Sequence, residues 1–154
     1  VYYYETRKEE PFYVKYPATD ATLQRIVSVP IKISDIITLL AGRTPLREHH
    51  SALLQRQDSG NGYVLTLKKR WYGIVEKIYL AEDKAQVRQI EFFNRSGSLI
   101  YRARFDEMQA VDKYQVPLRL SISSDDGMGF RLEVQKYWAD VPVIPSMFVL
   151  EPPN

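Results

Sequence analysis

Between Ser51 and Trp138, apolar and polar residues alternate in short runs separated by turn-forming clusters. A period of two over four to eight residues marks strands rather than helices. "SALLQRQD" and "YVLTLKKR" flank "SGNG", and "GIVEKIYLAED" and "AQVRQIEFFN" flank a turn at Asp83–Lys84. "RSG" then leads into "SLIYRARFDEM", and "VPLRLSIS" and "FRLEVQKYW" flank "SDDGMG". Hairpin turns of this kind predict a meander of about six consecutive antiparallel strands. Val116, Leu118, Leu120 and Ile122 share one face of their strand, against Arg119, Ser121 and Ser123. Phe130, Leu132, Val134 and Trp138 repeat the pattern, as do Leu99, Tyr101, Ala103 and Phe105. One face is therefore apolar and the other polar, as in a sheet covered on one side. So many consecutive strands twist and curl, which makes the apolar face concave. From Trp71 to Gly97 the alternation is mixed, and irregular register is expected there.

The pattern ahead of the meander is different. Val1 to Thr6 and "FYVKY" read as strands separated by "RKEEP", with Val1 to Thr6 expected to pair as an edge. "PATDATLQRIVSVP" predicts a short helix through about Ile26, capped by Thr19 or Asp20. "SDIITLLAG" predicts a second helix of barely two turns. Its apolar residues Ile36, Ile37, Leu39, Leu40 and Ala41 cover about 200° of the helical wheel, with Leu40 near the centre. Ser34, Asp35 and Thr38 are left for water. Ser34 suits the amino-terminal cap, Asp35 the positive end of the dipole, and Gly42 a left-handed stop. Such a helix is too short to be stable alone. A curled sheet with an apolar hollow needs a cover, and this helix is the strongly apolar one available. The expected fold is mainly β (α+β): a curled antiparallel sheet, an unclosed barrel with short helices as its lid.

Composition narrows the function classes. The 154 residues, 45% hydrophobic and 26% charged, suit one globular domain spanning 1–154. A net charge of +2 with scattered Lys and Arg gives no footprint for nucleic acid. Without cysteine there is no disulfide, thiolate metal site or cysteine nucleophile. No run approaches the ~18 apolar residues of a membrane-spanning helix. The sequence opens on Val1 in what reads as mid-strand, so a processed or partial chain is expected.

Constellations with chemistry are few. His49 and His50 are neighbours that a strand would point to opposite faces, a poor metal pair. Asp125 and Asp126 sit in "SSDDGMG", where turn formation accounts for both. "SGNG" is followed by a strand rather than by the helix a phosphate loop requires. No nucleophile elbow, zincin motif or dinucleotide fingerprint is present. An enzyme is not expected, and no cofactor or metal is implied.

"VPIKISDIITLLAGRTP" followed by the meander resembles the bacterial lipoprotein-localization proteins of the LolA/LolB type, nearest the outer-membrane receptor members. "YPATDA" at Tyr16 to Ala21 matches that family's "Y-x-A-x-x-A" segment, and "LRLSISSDDGMGFRLEVQKYW" its closing hairpin. The family's amino-terminal helix and first strands, with the acylated anchor, have no counterpart here, while Trp71 to Gly97 is longer than the family requires. The resemblance implies a hydrophobic cavity that receives lipoprotein acyl chains or another lipid, in the periplasm at the outer membrane. On that basis the cavity and lid comprise Ile36, Ile37, Leu39, Leu40, Leu99, Tyr101, Leu118, Leu120, Leu132 and Val134. The alternative is a structural or interaction module of a cell-envelope complex, partnered by an envelope protein, with its core filled and no ligand.

Overall fold

The computed structural model describes residues 2–5 and 12–148. Seven strands form one antiparallel sheet in strict chain order: β3 (Ser51–Arg56), β4 (Tyr63–Lys69), β5 (Gly73–Leu80), β6 (Val87–Phe93), β7 (Leu99–Val111), β8 (Tyr114–Ser123) and β9 (Gly129–Glu133). The sheet is not closed, and β3 and β9 are its edges. The meander has seven strands where the hydropathy pattern suggested about six. The runs on either side of the Asp83–Lys84 turn form two strands, β5 and β6, as their pattern predicts. Register shifts fall at Leu67/Lys68, Tyr79/Leu80 and Phe92/Phe93. Each local irregularity adds bend and twist to its strand.

β7 and β8 form the longest pair, ending in a tight turn at Asp112 and Lys113. Pro117 sits within β8, where a proline would normally cost a ladder hydrogen bond. Its partner there is Met108, and the adjoining Glu107 has a φ of 58°, in the left-handed region. β9 ends at Glu133, so Trp138 lies beyond the strand and is 64% exposed, not on the inward face expected of it.

Before the sheet come β1 (Tyr2–Glu5) and β2 (Phe12–Lys15), which pair with each other in a separate two-stranded ribbon. The remainder of the Val1–Thr6 expectation lies outside the described residues. Helix α1 (Asp20–Val27) is capped by the Thr19 hydroxyl, which accepts from the Thr22 amide at 3.2 Å. Helix α2 (Ile33–Leu40) starts one residue earlier than expected, and Ser34 is not its cap. Its first amide, Ile33, donates instead to the Asp20 carboxylate of α1 at 2.9 Å. The first turn of α1 thereby caps the start of α2. Gly42 follows α2 with a φ of 70°, and a Cβ there would stand 1.9 Å from the Gln115 carbonyl oxygen. Only glycine permits so close an approach of the chain to β8.

α2 packs against β8 over the apolar face of the sheet. Its phase differs from that read off the wheel. Leu39, not Leu40, is the fully buried residue, while Ile37 is 63% exposed and Asp35 only 4% exposed. The helix is rotated so that the Asp35–Leu39 edge faces inward, and Leu40 is half-buried beside it. Val29 and Ile31, just ahead of α2, complete this cover. Leu39→Ala is therefore expected to cost about 2–5 kcal/mol, as for a truncation that leaves a core cavity. Ile37→Ala is expected to stay within about 0.5 kcal/mol. Urea denaturation of the two variants checks this phase, and equal losses would contradict it.

Candidate functional site

The inner layer of the sheet is built by alternation. Leu67 on β4, Ile78 on β5, Ile90 and Phe92 on β6, Tyr101 and Ala103 on β7, and Leu120 and Ile122 on β8 are all buried. Cross-strand register lines them up: Ile78 opposite Ile90, Ile90 opposite Ala103, Phe92 opposite Tyr101, and Ala103 opposite Ile122. The Phe92 and Tyr101 rings lie 4.7 Å apart between centroids.

This places most of the residues predicted for the cavity and lid. Leu39, Tyr101 and Leu120 are fully buried at the centre, with Ile36, Leu40 and Leu132 half-buried against them. Leu99, Leu118 and Val134 are half-buried outside that packed cluster. Leu99 lines a groove at one end of the sheet, with Ile100 and Pro30. Ile37 points to solvent and does not belong to the inner layer.

The centre also holds a polar cluster that the hydropathy pattern does not announce. The Asp35 carboxylate, brought inward by α2, accepts from the Tyr101 hydroxyl at 2.9 Å. It also receives the Arg47 guanidinium through two contacts, at 2.5 and 3.3 Å. The two-pronged geometry suits the planar fork of arginine. Arg47 rests over the Phe92 ring, 4.5 Å from its centroid, while its backbone amide donates to Glu76 Oε2 at 2.9 Å. Glu76 is fully buried, and its second oxygen, Oε1, has no hydrogen-bond partner.

The electrostatics follow from this burial. Loss of water pushes the Glu76 carboxyl up to about 7, against the opposing pull of the Arg47 amide and charge and of His49; Asp35 adds to the rise. The Tyr101 hydroxyl is likewise pushed up, first by burial and then by the Asp35 charge. For Arg47, burial works downward, but the bond and charge of Asp35 outweigh it and hold the guanidinium above its ordinary range. The opposite face of the sheet carries its own network, in which Glu91 accepts from Tyr79 at 2.9 Å and from Arg102 at 2.8 Å. Burial and Glu91 push Tyr79 up to about 12.

No family model and no curated protein matches the sequence. Among solved structures, the chain is similar to a DUF1329 family protein from Desulfovibrio piger, at 13% identity and a TM-score of 0.48. The likeness covers 84% of this chain and 54% of that one, so the chain spans about half of that protein's length.

A carboxyl raised from 4.5 to about 7 binds more protons in the folded protein than in the unfolded one. The contribution of Glu76 to stability is then full below pH 4.5 and is lost as pH rises through 7, by about 3 kcal/mol at most. Glu76→Gln keeps an acceptor for the Arg47 amide without the charge. We expect the variant to be more stable than wild type at pH 8 and no more stable at pH 4. Denaturant titrations across that range test it, and a difference independent of pH would show that Glu76 does not titrate as described.

Proposed function

We propose that the protein is a non-enzymatic carrier of apolar chains, namely lipoprotein acyl chains or another lipid. The observation that carries this reading is the cover itself. An unclosed sheet presents its apolar face to a two-turn helix whose inward residues include one polar anchor, Asp35, and two side chains, Ile36 and Leu40, only half-buried. The sequence resemblance to the lipoprotein-localization proteins supports the same reading, and the proposed setting is the bacterial periplasm at the outer membrane.

The mechanism is an exchange of burial. Leu39, Ile36 and Leu40 each contribute up to about 1.5–3 kcal/mol while covered by the sheet. An entering acyl chain displaces part of that contact and replaces it at about 0.8 kcal/mol per methylene. The two terms offset, so loading is reversible without nucleotide hydrolysis. A second reading, a structural module of an envelope complex, is favoured by one observation. Val29, Ile31 and Leu39 are each no more than 1% exposed, so the space beneath the cover is occupied by the protein's own side chains.

Uptake of a neutral fluorescent lipid probe separates the two. The carrier predicts saturable binding by wild type, unchanged in Leu40→Met and weakened at least tenfold in Leu40→Arg, with thermal melting as a separate readout of folding. A wild type that takes up no probe gives way to the structural module. Full binding by Leu40→Arg at an unchanged melting temperature would show that α2 is not the lid.

A further inference from the structure

At one end of the sheet, the β4–β5 and β6–β7 turns and the segment before β3 enclose a groove of about 320 Å³. That volume is at the small end of the range for ligand sites. Its floor is apolar, made by Val75, Phe93 and Ile100, with Phe92 beneath the Arg47 guanidinium. Its rim is cationic. Arg47, Lys69 and Arg95 meet a single carboxylate there, Glu48.

The rim charges do not balance. Glu48 answers Lys69 at 2.5 Å, and Asp35 answers Arg47 from the interior side. Arg95 has no carboxylate partner among the described residues. It donates to the Tyr72 hydroxyl and stacks on that ring, 4.1 Å from the centroid. Lys69 approaches the same ring at 5.5 Å. Two cations thus approach the one Tyr72 ring, the single carboxylate of the groove being bound to Lys69, and the aromatic contacts hold the Arg95 guanidinium in place. An unmatched, pre-positioned guanidinium over an apolar floor is complementary to one kind of small molecule: an anionic head on an apolar tail. A free inorganic anion leaves the floor unused, and a neutral or cationic amphiphile leaves the rim unsatisfied.

We propose that this groove seats the anionic head of a single-chain amphiphile, with Arg95 and Lys69 binding the head and Val75, Phe93 and Ile100 receiving the start of the tail. The proposal rests on the carrier reading and names the head-group chemistry that the carrier selects.

The test is calorimetric titration of the whole chain with decanoate, decanol, decyltrimethylammonium and acetate, all below micelle formation. Decanoate is expected to bind at least tenfold more tightly than decanol, and neither decyltrimethylammonium nor acetate to bind saturably. Arg95→Gln combined with Lys69→Gln is expected to abolish the preference and leave decanol affinity within twofold. Arg95→Lys, which keeps the charge, should retain most of it. Equal binding of decanoate and decanol by wild type overturns the head-group seat and leaves the carrier reading standing. A preference that survives the double substitution overturns the seat as well, because the charge is then read elsewhere. Should wild type bind no decanoate, the seat fails, and the neutral-probe measurement alone decides the carrier.

Discussion

The attachment of α2 to the sheet turns on one carboxylate. Asp35 accepts from Tyr101 on β7 and from Arg47 ahead of β3, so a single side chain ties the helix to two separate parts of the chain. A helix of eight residues has little stability of its own. Its apolar residues supply attraction without direction, since any rotation that buried three of them would serve nearly as well. The hydrogen bonds of Asp35 are directional and choose the rotation. They put Leu39 at the centre, turn Ile37 outward, and leave Ile36 and Leu40 at the margins.

The same cluster makes the interior less settled than an all-apolar one. An ion pair shielded from water is costly to assemble and costlier to leave half-made. Here the guanidinium is only partly buried, with a third of its side chain exposed, so its carboxylate partner bears most of the desolvation. Glu76 stands nearby with one oxygen bonded and one orphaned. Buried polar atoms in folded proteins are nearly always paired, so this orphan marks a place of imperfect fit under the cover.

Strand order and the inward face were legible in the sequence because both depend on local alternation. Val116, Leu120 and Ile122 are buried where their period of two placed them, and each hairpin formed around its turn residues. The helix phase was not legible. Hydropathy treats Asp35 as outward on principle, whereas its partners lie 12 and 66 residues away in sequence. A local signal did exist for Glu76: in "GIVEKIYL" it shares the phase of Ile78, the inward phase of that strand. A charge in the buried phase of an otherwise regular strand is the trace of a polar interior. Arg47 left no such trace, since it sits in an irregular segment where no period applies.

The strict neighbour-to-neighbour order of β3 through β9 bears on how the molecule assembles. Each strand finds its partner across a short turn, so closing every rung of the ladder restricts only a few residues of chain. Contact order within the sheet is low for a β protein, which favours rapid zippering from whichever hairpin forms first. The helix cover is the exception, because α2 must wait for β7 and β8 to emerge and pair before Leu39 has anything to bury against. During synthesis the apolar face of the young sheet is therefore bare until its last strands arrive. In that interval the nascent chain is most exposed to misassociation.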